Sequence, residues 1–150
     1  MEPVVLDPSV TENGLAAVLA GLMGENVAAH PAKRRDLRAI RTSFAIVAPD
    51  AEVAVTLQFR HGGCTLFDGN RPDAEVVVIA DSDKIPALSL VEIRYGLPWL
   101  LGEAGQGVVR SLLAREIKIM GLVDLPIPHP RATLQRALDL LRLLRVLSVN

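Results

Sequence analysis

The clearest pattern in the chain is a strict alternation from Val53 to Arg60. Val53, Val55, Leu57 and Phe59 are apolar, and Ala54, Thr56, Gln58 and Arg60 between them are small or polar. A period of two predicts a strand with one dry and one wet face, and sheets with a wet face are most often antiparallel. Upstream, Phe44 and Ile46 alternate with Ser43, Ala45 and Val47 ahead of the turn signal Pro49-Asp50. Downstream, Gly62-Gly63 turns the chain into a short strand from Cys64 to Phe67, and Asp68-Gly69-Asn70 turns it again. Ala74 to Ala80 reads as a fourth, more apolar strand. These successive hairpin-like steps favour a meander over parallel crossover units. Arg115 to Gly121 returns to period two, with Ile117 and Ile119 inward and Glu116 and Lys118 outward, and predicts a fifth strand.

Helical spacing occupies most of the remainder. Pro8 and a Ser9-x-x-Glu12 capping box precede Leu15, Val18, Leu19, Leu22 and Met23 at helical intervals. Ala16, Ala17, Ala20 and Gly21 keep that helix slim, and His30-Pro31 ends it. Lys33 to Arg41 carries five cations in nine residues, with Leu37 and Ile40 on one edge. This predicts a short helix whose charged face is either solvated or in contact with phosphate or an anionic head group. Asp81-Ser82-Asp83 offers N-caps to a helix bearing Ile85 and Leu88, with Pro86 in its first turn. Leu97 to Leu101 opens another helical region, broken by Gly102, Gly105 and Gly107 and resumed through Val108, Val109, Leu112 and Leu113. Pro126, Pro128 and Pro130 form a stiff connector.

A last helix runs from Arg131 to about Val149. Projected at about 100° per residue, Leu134, Ala137, Leu140, Leu141, Leu144 and Leu147 form a stripe predicted to dock on the sheet. Arg131, Gln135, Arg136, Asp139, Arg142 and Arg145 take the opposite half. Leu138, Leu143 and Val146 fall on or near that polar side, where they face a ligand, a partner subunit or water.

Composition narrows the function classes. With 150 residues, 50% of them hydrophobic, a single domain with one core is expected. Only 3% of residues are aromatic, so the core is aliphatic and little surface exists to stack single-stranded nucleic acid. Sixteen Lys+Arg against 17 Asp+Glu leave a formal charge of −1, and no global field to recruit nucleic acid or an acidic membrane. The single cysteine, Cys64, excludes an internal disulfide and multi-cysteine metal sites. The longest uncharged run, Asn13 to Gly24, is 12 residues, short of the about 18–20 that span a bilayer. Met1-Glu2-Pro3-Val4 has no secretory character. A cytoplasmic protein without integral membrane association is expected.

Chemical motifs are sparse. There is no phosphate loop and no dinucleotide fingerprint. Gly102-Glu103-Ala104-Gly105-Gln106-Gly107 follows a helical stretch rather than a strand, and reads as a helix break or hinge. His30, His61, Cys64 and His129 make no cluster with zinc-ligand spacing. Cys64 reads as a small buried hydrophobe and His61 as a turn residue. His61-Gly62-Gly63 has no accompanying Gly-x-Ser-x-Gly elbow, and a helix start explains Asp81 and Asp83. No catalytic residue, metal or cofactor is expected.

About two-thirds of the chain, from Thr42 to Leu147, resembles the sterol carrier protein 2 family. The residues that carry the resemblance are Phe44-Ala45-Ile46, Val53-Ala54-Val55-Thr56-Leu57, the Asp68-Gly69 turn and Ala74 to Ala80 running into Asp81-Ser82-Asp83. Arg115-Glu116-Ile117-Lys118-Ile119-Met120-Gly121 and the closing amphipathic helix complete it. Ser89 to Ala114 departs from the family pattern by its length and glycine content. The resemblance implies an α+β fold with a five-stranded, largely antiparallel sheet and helices on one face, plus an extra N-terminal helix. Residues 1–41 would pack as a helical segment on a lipid-binding domain, 42–150, in one globular unit.

The resemblance also implies a non-catalytic protein that holds a fatty acid, acyl-CoA or sterol-like lipid in an apolar cavity between the layers. The expected lining is Phe44, Val55, Leu57, Phe59, Val78, Ile117 and Ile119 from the strands. From the helices come Leu88, Trp99, Leu100, Val108, Leu112 and Leu141. The alternative is a protein-interaction scaffold with a filled cavity, pairing with a partner or a second copy through the C-terminal helix. An ester or thioester enzyme using Cys64 or His61 is the third and weakest reading.

Overall fold

Val55, Leu57 and Phe59 point to the same side of their strand and are buried there, as the alternation predicts. The computed structural model describes residues 3–94, 97–99, 101–123, 127 and 129–149. Its strands are β1 (Val4–Leu6), β2 (Phe44–Ala48), β3 (Val53–Arg60), β4 (Gly63–Asp68), β5 (Val76–Ala80), β6 (Ile93–Arg94), β7 (Leu97–Pro98) and β8 (Ile117–Met120). The helices are α1 (Gly14–Ala29), α2 (Pro31–Ala39), α3 (Lys84–Leu88), α4 (Glu103–Leu113) and α5 (Pro130–Leu147). No described helix is long and apolar enough to cross a membrane.

The fold is α+β, but its sheet has six strands in the order β1-β4-β3-β2-β5-β8, not five. It is mixed: β2–β3, β3–β4 and β5–β8 are antiparallel, whereas β1–β4 and β2–β5 are parallel. The meander therefore ends at β4. Strand β1 occupies the outer edge of β4, with Val4 opposite Cys64, and β5 returns to the far side of β2, placing Ile46 opposite Val78. The connection back crosses the wet face. Thr56 Oγ1 donates to Gly69 O (2.7 Å) and accepts from Arg71 N (3.0 Å), and the Arg71 guanidinium lies 4.4 Å from the Phe67 ring centroid. Gly121 closes β8 at φ +89°, where a Cβ would lie 2.0 Å from Glu75 O, so only glycine fits.

The dry face carries Phe44, Ile46, Val55, Leu57, Leu66, Val76 and Val78 against Ala16, Leu19, Met23 and Val27 of α1 and Leu37 of α2. Asn13, rather than Ser9, caps α1: its side chain accepts from Ala16 N (3.0 Å) and donates to Ala54 O and Asp68 Oδ1 (both 2.8 Å). That tie to two strands fixes where the helix begins. Ser9 sits in a separate 3-10 turn capped by Asp7. His30 ends α1 and Pro31 opens α2.

Two helical faces depart from the pattern. On α5, Leu143 and Val146 are buried, whereas Leu134 and Leu138 are 61% and 40% exposed. The inward face is thus rotated by roughly a third of a turn from the leucine stripe. The cause is Asp139, which is fully buried. Its Oδ2 accepts from Arg41 N (3.1 Å), Thr42 N (3.0 Å) and Thr42 Oγ1 (2.7 Å), and its Oδ1 from Gln135 Nε2 (3.1 Å) and Arg142 Nη1 (2.7 Å). Burial pushes this carboxyl's pKa up, but the donors outweigh burial and hold it below the usual range. Of Leu138, Leu143 and Val146, expected to face a ligand, a partner subunit or water, only Leu138 is on the surface.

On α2, Lys33 is buried and donates its Nζ to Ser148 O. Burial holds its pKa below the lysine range, opposed by Asp36. The basic segment is therefore not uniformly solvated. Arg34, Arg35, Arg38 and Arg41 remain exposed.

Candidate functional site

Small side chains on α4 create the space that defines the site. Ala104, Gly105, Val108 and Ser111 recur at helical spacing on the side of α4 that faces α3, with Gly107 beside them. Across from them stand Lys84 and Ala87 of α3, Leu90, Glu92 and Trp99, with Ile117 of β8 beneath. These groups enclose a cleft of about 530 Å³. Such a volume falls within the range of small-molecule sites.

Trp99 borders this space and is held by two contacts. The Arg94 guanidinium lies 4.5 Å from its ring centroid, and Arg94 pairs with Glu92 at 3.1 Å. On the other side Gly102 allows close approach, since a Cβ there would lie 3.2 Å from Trp99 Cδ1. The backbone agrees, with Trp99 N donating to Glu92 O (2.8 Å). At the cleft's charged end Lys84 Nζ pairs with Glu116 Oε2 at 3.0 Å, and Ser111 Oγ lies 3.4 Å from the same oxygen. The Glu116 hydrogen bond and charge raise the Lys84 pKa. The site is an apolar wall with an ionic rim.

The glycine-rich stretch is thus not a helix break. Gly105 and Gly107 lie inside α4, and Leu97-Pro98 is a strand rather than the opening of a helix. Likewise Asp81-Ser82-Asp83 starts α3 without a side-chain cap: Asp83 is the N-cap residue, while Ser82 N and Oγ donate to the Asp50 carboxylate (2.8 and 2.7 Å).

The residues expected to line a cavity divide between two places. Trp99, Val108 and Ile117 border the cleft. Phe44, Val55, Leu57, Phe59 and Val78 lie in the closed core on the dry face, with Leu88 and Ile119 packed at its margin. Leu141 is half-buried and Leu112 is 40% exposed. Leu100 lies outside the described residues, as do Pro126 and Pro128 of the connector. The cleft residues that the pattern passes over are chiefly Lys84, Ala87, Leu90, Gly105 and Gly107. Their signal was the run of small residues at helical spacing.

A second, broader groove of about 950 Å³ lies between the start of α1 and the β2–β3 turn. Glu12, Glu52 and Asp68 line it, so an apolar guest would desolvate carboxylates there. The first cleft has Glu92 and Glu103 in its lining too, but Glu92 is paired with Arg94, and Lys84 stands in the same lining. Trp99, Leu90, Val108 and Ile117 add apolar surface, so it is the better candidate for a hydrophobic ligand. Cys64 faces the core opposite Phe59, and burial pushes its thiol pKa far above the ordinary value, which removes the thiolate that nucleophilic chemistry requires. His61 is exposed in the adjacent turn at φ +54°. Among the described residues no group of three His, Cys, Asp or Glu side chains is placed to hold a metal ion.

The arrangement of sheet and helices is similar to that of sterol carrier protein 2. A structure titled UbiJ-SCP2 ubiquinone synthesis protein shares 16% sequence identity with a TM-score of 0.51, over 85% of this chain and 93% of that one. A structure of sterol carrier protein 2 shares 17% identity with a TM-score of 0.50, over 89% and 95% of the two chains. No family model and no curated protein sequence matches the chain.

Proposed function

We propose that this protein binds a hydrophobic small molecule without transforming it, and that the cleft between α3, Trp99 and α4 is the binding site. The observation that carries the reading is the cleft itself, an apolar and glycine-walled space on a sterol carrier protein 2 fold. Leu90, Trp99, Val108 and Ile117 supply apolar contact, and Lys84 supplies a cation at one end. That pairing suits an amphipathic ligand such as a fatty acid, an acyl-CoA or a sterol-like lipid. Because one structural neighbour is titled for ubiquinone synthesis, ubiquinone belongs among the molecules to be tried. Residues 1–41 act as part of the same unit, since α1 and α2 contribute to its core.

The test combines native mass spectrometry of gently purified protein with titration of a fluorescent fatty acid, competed by cholesterol, acyl-CoA and ubiquinone. A co-purifying lipid, or saturable binding that one of these competes, is the expected result. Absence of bound lipid, together with probe binding no stronger than to an unrelated protein, refutes the proposal.

The scaffold reading has one observation in its favour. On the C-terminal helix Leu134 and Leu138 are 61% and 40% exposed and could meet a partner, whereas Leu143 and Val146 are buried. Sedimentation velocity that shows a monomer across concentrations counts against pairing of two copies.

A further inference from the structure

The last carbonyls of a helix have no partners within it. In α5 they are received by buried side chains of the N-terminal helices. Asn26 Nδ2 donates to Val146 O (2.9 Å) and Leu147 O (3.1 Å), and Lys33 Nζ donates to Ser148 O. A lysine at this place also meets the negative end of the α5 dipole, which together with the nearby charge of Asp36 offsets the burial of the cation. Beyond this anchor the chain reaches the wall of the cleft. Ser148 Oγ donates to Val91 O (2.7 Å), and Val149 N donates to Ser89 O (2.9 Å). Leu90 and Glu92, in that same wall, border the cleft, and Glu92 O holds Trp99 N.

We propose that Ser148 and Val149 are positioning residues for the cleft: a strap, anchored on Asn26 and Lys33, that clamps the wall Ser89–Glu92 and so sets the distance of Trp99 from α4. The proposal rests on the cleft being the ligand site. At its ends the wall is held by the last turn of α3, through Ser89 N to Pro86 O (3.0 Å) and Leu90 N to Ala87 O (3.2 Å), and by the β6–β7 pair. Among the described residues that pair aligns Ile93 with Pro98 and Arg94 with Leu97, and a two-stranded hairpin by itself is marginal in water. The wall also leans on α5 through β7 and buries Val91, and the strap adds lateral hydrogen bonds to that support. The strap also joins two parts of the molecule that the sequence separates, since Asn26 of α1 and Lys33 of α2 hold the end of α5 from which it leaves.

The experiment compares wild type with Ser148→Ala, which removes the hydroxyl, and with Val149→Pro, which removes the N–H. Amide hydrogen exchange is read at Ser89, Leu90 and Trp99 and, as a control, at Val55 and Leu57 in the core of β3. Dissociation of a fluorescent fatty acid is followed by stopped flow on the same proteins. Each variant is expected to speed exchange of the wall about fivefold, the factor that a hydrogen bond worth about 1 kcal/mol supplies, with the core unchanged. Probe dissociation is expected to quicken by a similar factor. Wall exchange that stays at the wild-type rate, or that rises only in step with the core, overturns the strap. So does a loosened wall with unchanged dissociation from a wild type that binds the probe. A wild type that binds no probe removes the cleft reading instead, and the exchange comparison then judges the clamp by itself.

Discussion

Gly107 offers a way to move stability and binding in opposite directions. It lies inside α4 and borders the cleft, and a Cβ added there meets no atom within 4 Å. Its backbone is helical, so a side chain brings no strain. In a helix interior glycine is about 0.8–1.0 kcal/mol less favourable than alanine. Gly107→Ala is therefore expected to raise the unfolding free energy by about that amount, equivalent to roughly 2–4 °C in Tm for a domain of this size. Leucine is nearly as good a helix former as alanine. Gly107→Leu should keep most of the gain, and each methylene it buries against the apolar wall adds at most about 0.8 kcal/mol. The same side chain fills the space a ligand would take.

The assay is urea unfolding followed by far-ultraviolet circular dichroism, alongside titration of a fluorescent fatty acid. Gly107→Leu is expected to unfold at higher urea with an unchanged slope while binding the probe at least about tenfold more weakly, a loss of about 1.4 kcal/mol. Two results refute the reasoning separately. A lower midpoint for Gly107→Ala means that α4 is interrupted at this position. Undiminished binding by a well-folded Gly107→Leu variant means that the ligand sits elsewhere.

Leu57→Ala should cost about 2–5 kcal/mol by urea unfolding, because Leu57 is fully buried in the closed core away from the cleft; a cost under about 1 kcal/mol would reveal a void beside it. Asp139 has a folded-state pKa below its unfolded value of about 3.9, so its contribution is present in full above that pH and is lost as pH falls through the folded value. Asp139→Asn is expected to be destabilised at pH 7 by about 3 kcal/mol and to lack that part of the acid slope, and an identical acid slope in the two proteins would contradict the network. Leu143→Asp should cost more than about 3 kcal/mol while Leu138→Asp stays within about 1 kcal/mol, the reverse of equal effects if both lay on the surface.

What the sequence discloses is the local period, and what it withholds is which partner satisfies each element. Strand β3 is legible because one of its faces packs into the core while the other packs under the returning chain through polar contacts at Thr56, so residue type alternates from Val53 to Arg60. The pairing of β2 with β5 is not legible. Phe44, Ile46, Val76 and Val78 show the same alternation whether the neighbour runs parallel or antiparallel. Strand β1 has three residues, too few for a period to register. The start of α1 was misplaced because Ser9 and Asn13 are both good caps, and only Asn13 finds the Ala54 carbonyl and the Asp68 carboxylate.

The misreading of α5 and that of α4 share a cause. A hydrophobic projection counts Asp139 as a vote for solvent, yet five donors from Arg41, Thr42, Gln135 and Arg142 replace its water and turn that side of the helix inward. Once it turns, the leucine stripe is left half-buried or exposed. In the same way, propensity counts Gly105 and Gly107 as votes against a helix, at about 1 kcal/mol each. The packing of α4 against α3 and β8 overrides that penalty, and the missing side chains become the cleft. A chain selected only for stability gains from replacing Gly107 with alanine, since a Cβ there meets no atom within 4 Å. Its presence inside α4, bordering the space beside Trp99, is therefore the feature of this sequence that agrees best with the proposed guest.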